Sequence, residues 1–241
     1  MYSSSIIYRG DTKGAPENTM PAFELAFARG AAGIKCDLQC TRDGVLIIMH
    51  DADIRRTTRG WAQDLPSYSV QDLDWSIIAE LDAGSWFSEE FAGTRVPRLE
   101  DLLRTGTGSG GKICYINMRE TASTERAFSR LGSQLKKHMS ATGFDIHVGL
   151  WTSRDLSIAN VMRIDRCAHL SFVSESLPTN TSDYRRLRVS SFSIKHDHLT
   201  KKWVARAMSE GFAVFARVPN MLREKVACKD DAVSLVITDG L

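Results

Sequence analysis

The chain has 241 residues, 43% of them hydrophobic and 25% charged, with 31 Lys and Arg against 29 Asp and Glu. That length suits one α/β barrel of about 250 residues, or two small domains. A net charge of +2 leaves no field that would draw the chain to nucleic acid or to an anionic membrane surface, so any charge-driven function is local.

The N-terminus has no basic segment ahead of an apolar run, because residues 3–8 already read as a short strand. No apolar stretch reaches the roughly 18 residues of a membrane span. The expectation is a cytoplasmic protein. Five cysteines, Cys36, Cys40, Cys114, Cys167 and Cys228, are odd in number and widely spread, which favours reduced thiols. Cys36 and Cys40 have the loose spacing of metal ligands, but no second pair or nearby His completes a set of four, so they read as buried thiols.

In chain order, short runs rich in Ile, Val, Leu and Tyr alternate with segments of helical period, the pattern of βα units and a parallel sheet. The strand candidates are 5–8, 33–39 with 45–49, 112–119, 145–151, 169–174, 191–195, 213–218 and 234–238. After the first, Asn18-Thr19-Met20-Pro21 offers a cap and an early proline, Phe23, Ala26 and Phe27 an apolar stripe, and Gly30 a stop. Further helices are read from Leu99, Leu102 and Leu103 after Pro97, and from Phe128, Leu131, Leu135 and Met139. Another runs through Trp203, Val204, Ala207 and Met208, between Thr200 and Gly211. Residues 52–95 break the rhythm with Trp61, Trp75, Trp86 and many polar residues, and read as an insertion capping one end of a barrel. No repeat, linker or low-complexity stretch marks a boundary, so residues 1–241 are expected to form one domain, a TIM-type (β/α)8 barrel. In such a barrel, chemistry collects where strands end and loops begin.

The ends of the first strands carry a recognisable order of residues. Arg9-Gly10, Pro16-Glu17-Asn18-Thr19, Ala22-Phe23, Asp37, Thr41-Arg42-Asp43-Gly44 and His50-Asp51 resemble, in order and spacing, the glycerophosphodiester phosphodiesterase family. The likeness continues through Arg56-Thr57-Thr58, Leu81 to Phe87, Phe91-Ala92-Gly93, Pro97, Leu99 and Glu100, and returns at Ile237-Thr238-Asp239. It implies a TIM-type barrel with an insertion over the substrate end and a site for a phosphodiester. In that family two histidines act as acid and base or nucleophile, while two Glu and one Asp hold a divalent cation.

Carried over by position, the first histidine falls on Tyr8, the two metal-binding glutamates on Lys35 and Asn117, and only Asp37 and His50 are unchanged. The family lysine falls on Arg119, and the tryptophan after the seventh strand on Arg217. Lys35 and Asp37 are two apart on a strand and share a face, so an ammonium stands where a cation would sit. Mg²⁺ and Ca²⁺ need several oxygen ligands, and no metal cofactor is expected at the family position. Lys35, Arg9, Arg119 and Arg217 could meet phosphoryl oxygens instead, with Asn117 beside them and Asp37 pairing with Lys35 to orient it. His50 is the candidate general acid or base; Tyr8 is a poor base unless a neighbouring cation lowers its pKa.

Plainer readings stand beside these. A Lys and an Asp on one strand face also describe an ion pair filling a barrel mouth, and a single His a structural one. His196 and His198 read as substrate contacts or simple exposure. Two functions are therefore carried forward. One is an enzyme acting on a small glycerol- or sugar-phosphodiester without the usual metal, by hydrolysis or by transfer of the agrocinopine type known among relatives. The other is an inactive relative that binds a phosphorylated small molecule. Ordinary metal-dependent hydrolysis would need new ligands, such as Asp51 or Asp239.

Overall fold

The segments that form the sheet are apolar on both faces over most of their length, as strands must be when helices cover one side and a closed interior the other. The computed structural model describes residues 5–107, 110–219 and 233–239. In chain order its strands are β1 (Ser5–Tyr8), β2 (Gly33–Cys40), β3 (Leu46–Ile48), β4 (Ile113–Met118) and β5 (Asp145–Leu150). They continue as β6 (His169–Ser174), β7 (Val189–Lys195), β8 (Ala213–Val218) and β9 (Leu235–Asp239). All but β3 pair in parallel with their neighbours, and a final β1–β2 pairing closes the ring into an eight-stranded TIM-type barrel. β3 runs antiparallel to β2, pairing with Leu38–Cys40, while β1 pairs lower on β2 at residues 33–35.

The helices are α1 (Met20–Ala28), α2 (Trp75–Ile78), α3 (Leu99–Thr105), α4 (Glu125–His138), α5 (Ser153–Val161), α6 (Thr181–Arg186) and α7 (Lys201–Ser209). They cover the outside, except α2, which lies in the segment 52–95. Threonine hydroxyls at positions 19, 124, 152 and 200 cap α1, α4, α5 and α7 by accepting a first-turn N–H. α4 adds Glu125 in its first turn and Lys136, Lys137 and His138 in its last, which complements the helix dipole. The main core lies between strands and helices, with Phe23, Leu102, Phe128, Leu131, Phe192 and Val214 all buried.

The expected strands and helices are present, with local differences. Met139 and Met208, read as parts of apolar stripes, are exposed at the ends of their helices. α5 and α6 carry no strong apolar period and are recognisable only from the barrel rhythm. Asn18 does not cap α1; Thr19 does, and Asn18 adopts a left-handed φ of 56° that turns it elsewhere.

The interior carries a small apolar cluster of Ile6, Tyr115, Val173, Phe215 and Ile237. Around it are polar groups, including Lys35, Asp37, Asn117, Ser171, Ser191 and Ser193, all buried. Gly149 makes room for this arrangement, since a Cβ there would lie 2.6 Å from the Tyr115 ring. Residues 52–95 pack as a separate apolar cluster against β3, through Ile54, Val70, Leu73, Ile78 and Leu81 onto Ile47 and Met49. Among the described residues Cys36, Cys40, Cys114 and Cys167 are free thiols, the first three buried; Cys228 lies outside them. No helix among the described residues is long and apolar enough to cross a membrane.

Candidate active site at the mouth of the barrel

Asp37 is the centre of the mouth, fully buried near the end of β2. Its Oδ1 accepts from Asn117 Nδ2 at 2.7 Å and from the Tyr8 hydroxyl at 3.2 Å. Its Oδ2 accepts from Asn18 Nδ2 at 3.3 Å and lies 3.2 Å from Arg9 Nε, while Arg119 approaches Oδ1 at 4.0 Å. Strand register explains the Asn117 contact, since Asp37 sits directly beside Asn117 on β4. The left-handed turn at Asn18 explains the next, because it returns the amide to Asp37, whose own N–H donates to Asn18 Oδ1.

Lys35 lies one layer lower, buried beside Tyr8 on β1 and Tyr115 on β4. Its ammonium is 4.8 Å from the Tyr8 ring centre and 5.2 Å from that of Tyr115. The expected Lys35–Asp37 ion pair is not formed. Two residues along a strand is a rise of roughly 6.6 Å, and Asp37 is taken up by donors of its own layer. Burial pushes the Lys35 ammonium down to about 8; Asp37 opposes this, while Arg217, Arg119 and Arg9 add to it.

Tyr8 is pushed the other way, up to about 12, by burial and then by the Asp37 charge, against which Arg9 and Arg119 act only in part. The cations therefore do not turn it into a base, and it remains a neutral phenol that donates to Asp37. Arg9 folds back over the Tyr8 ring at 4.5 Å, gives Nη2 to the Tyr8 hydroxyl at 3.1 Å and Nη1 to Glu17 at 3.1 Å.

His50 follows β3 on the cap side. Its Nδ1 lies 2.6 Å from Asp51 Oδ1, so Nδ1–H donates to the carboxylate and Nε2 keeps its lone pair in the neutral ring. Burial works against the Asp51 charge, but bonds from Arg56 and His50 outweigh it and hold the carboxyl below its usual range. Arg56, from the capping segment, binds Asp51 through Nε and grips Glu17 with both terminal nitrogens, at 2.7 and 3.0 Å. Glu17 then returns to Arg9. On the far side, Arg217 lies 5.3 Å from the Trp151 ring centre, donates to the Ser174 carbonyl at 2.6 Å and pairs with Glu175 at 2.9 Å. Trp151 Nε1 donates to Asn117 Oδ1 at 3.1 Å.

Seven of the eight expected site residues, Tyr8, Arg9, Asp37, His50, Asn117, Arg119 and Arg217, thus belong to one connected network, with Lys35 beneath it. Glu17, Asn18, Asp51, Arg56 and Trp151 complete it and were not assigned these contacts from the sequence. Glu17, Asn18, Asp51 and Arg56 stood in the quoted motifs, which was the available signal; Trp151 had none beyond its place at a strand end. His196 and His198 lie beyond β7; His198 is exposed and close to Asp197, and neither contacts this network. Asp239 takes the register position beside Tyr8 on β9.

The donor set does not fit a divalent cation. Among the described residues no three His, Cys, Asp or Glu side chains converge as metal ligands. Asn117 has both ends of its amide engaged, and Asp37 is surrounded by donors rather than by further oxygens. Six to eight oxygen ligands are the usual demand.

A glycerophosphodiester phosphodiesterase of Caldanaerobacter subterraneus is 44% identical over 98 residues, covering 41% of this chain and 38% of that protein. YhdW of Bacillus subtilis is 29% identical over 255 aligned positions, covering 97% of this chain and 93% of the relative. Among solved structures, an Oleispira antarctica phosphodiesterase in complex with its product sn-glycerol-3-phosphate superposes with a TM-score of 0.83 at 20% identity, over 98% of this chain and 92% of the other. A glycerophosphodiester phosphodiesterase from Agrobacterium tumefaciens superposes with a TM-score of 0.78 at 21% identity, over 99% and 96% of the two chains. These structural likenesses carry the fold. The profile of the glycerophosphoryl diester phosphodiesterase family matches residues 9–240, and the chain belongs to that family.

Proposed function

We propose that this chain is an enzyme of its family that processes a small glycerol- or sugar-phosphodiester without a divalent metal, with Lys35, Arg9, Arg119 and Arg217 receiving the phosphoryl oxygens. The observation that carries the reading is the buried ammonium of Lys35, without a carboxylate partner among the described residues and beneath three arginines, in a network that also orients His50. The sn-glycerol-3-phosphate held by the Oleispira relative supports a phosphorylated small-molecule ligand.

In hydrolysis, a water oxygen forms a new bond to phosphorus as the bond to one alcohol oxygen breaks. His50 Nε2 takes the proton from the water and returns it to the departing alkoxide. In transfer, of which agrocinopine-type synthesis is one form, an acceptor alcohol replaces the water and the same proton moves. The cations stabilise charge on the non-bridging oxygens throughout. Tyr8, a neutral phenol, contributes a hydrogen bond and no base.

One observation favours a second reading, an inactive relative that binds a phosphorylated small molecule. Tyr8 has no basic role here, and the general acid–base work falls on a single histidine.

The test is calorimetric titration with sn-glycerol 3-phosphate in EDTA. Binding is expected in EDTA, weaker by about tenfold or more in Lys35→Met, as befits loss of a charge-assisted bond. Affinity is also expected to fall as pH rises through about 8 in the wild type, because the anion prefers the ammonium form. Binding that appears only when Mg²⁺ or Ca²⁺ is restored would refute the metal-free reading.

A further inference from the structure

A groove of about 620 Å³ opens where β4 and β5 end, and it shares Arg119 and Trp151 with the mouth network. Its other walls include Glu120 and Ser123 after β4, and Thr152 and Arg154 at the start of α5. The volume lies within the roughly 300–1,000 Å³ of small-molecule sites. A phosphodiester carries two alcohol arms. The groove has room for one of them.

The chemistry of the walls narrows what that arm is. Trp151 is a fixed wall, pinned by its bond to Asn117 and covered on one side by the Arg217 guanidinium. Arg154 touches only the Ser123 carbonyl, at 3.5 Å, and forms no ion pair among the described residues. Glu120 is exposed at the rim. A quaternary ammonium would meet two guanidiniums, Arg119 and Arg154, and a tryptophan face already occupied by a third. Met118 and Trp151 are the only apolar residues among the lining, the rest of its apolar surface being the stems of polar side chains, so an acyl chain would lie against guanidiniums and carboxylates. Hydroxyl groups fit, since each accepts from a guanidinium and donates to a carboxylate or a threonine oxygen.

We infer that this groove holds the second alcohol of the phosphodiester, and that this alcohol is a polyol. The inference rests on the reading that Lys35 and the arginines hold the phosphate.

The test is calorimetry in EDTA with inorganic phosphate, sn-glycerol 3-phosphate, glycerophosphoinositol and glycerophosphocholine, on wild type and Arg154→Ala. The inositol diester is expected to bind about tenfold more tightly than the choline diester, the size of one good charged hydrogen bond. Arg154→Ala should remove most of that preference and leave sn-glycerol 3-phosphate unchanged. In ¹⁵N-labelled protein, the Trp151 indole N–H resonance should shift further with the inositol diester than with phosphate. Equal affinity for the two diesters, or a preference that survives Arg154→Ala, overturns the groove assignment while leaving the phosphate site intact. Failure of phosphate and sn-glycerol 3-phosphate to bind at all overturns the phosphate site, and the groove assignment with it.

Discussion

Lys35 occupies a position at which burial and three nearby arginines all disfavour its charge, and no carboxylate pairs with it among the described residues. Its folded pKa, about 8, lies below the roughly 10.4 of an unfolded lysine. Between those values the unfolded chain binds more protons, so stability rises with pH across that window, and the full penalty applies below about 8. Lys35→Met should therefore raise stability at pH 7 by up to about 3 kcal/mol and flatten the rise between pH 8 and 10. Denaturant unfolding at pH 7 and 9.5 reads both effects; a destabilised variant would mean that the ammonium makes contacts worth more than its desolvation. At His50 the same scale of argument concerns one proton. Asp51→Asn replaces the carboxylate with an amide whose NH₂ can donate to Nδ1, so ring ¹⁵N shifts should move from a single tautomer toward the Nε2–H form. An unchanged spectrum would show that Asp51 does not orient the ring.

At the scale of elements, the capping segment shows what the family-like motifs are for. Asp82 accepts from the backbone N–H groups of Gly84, Ser85 and Gly93 and from the Ser85 hydroxyl, which folds residues 82–93 into a closed loop. Gly84 is required there, because a Cβ would fall 1.8 Å from the Phe91 carbonyl oxygen. Asp82→Ala should cost about 1–3 kcal/mol locally and open that loop to limited proteolysis while α4 stays protected. Cleavage no faster than in the wild type would show that the apolar cluster alone holds the cap. The strands were legible because their short apolar runs are rich in Ile, Val, Leu and Tyr, and α1 and α4 because capping residues and apolar period coincide. α5 and α6 were not, since α5 buries little beyond Leu156 and Ala159 and α6 is short and polar. Periodicity cannot reveal a helix whose buried face is that small.

Across the whole molecule, the barrel brings to one mouth residues as far apart as Tyr8 and Arg217, and the positions read from the sequence as departures from the family pattern meet there. Tyr8, Arg9, Lys35, Asp37 and His50 were legible through the order of motifs along the first hundred residues, and Asn117, Arg119 and Arg217 only by carrying family positions over to later strands. Their partners were not. The Lys35–Asp37 pair was expected from shared strand face alone, whereas depth along the barrel separates the two, and Asn117 from a neighbouring strand takes the carboxylate instead. The Glu17–Arg56–Asp51 linkage joins the first loop to the cap, and no local pattern announces such a contact. Phosphodiester chemistry without a divalent metal can be observed directly. The direct measurement is a phosphorus NMR time course with glycerol and sugar phosphodiesters, first in EDTA and then with Mg²⁺, with His50→Ala as control. The expected result is conversion in EDTA that falls by about 10²-fold or more in His50→Ala. Conversion that begins only when Mg²⁺ is added would contradict it.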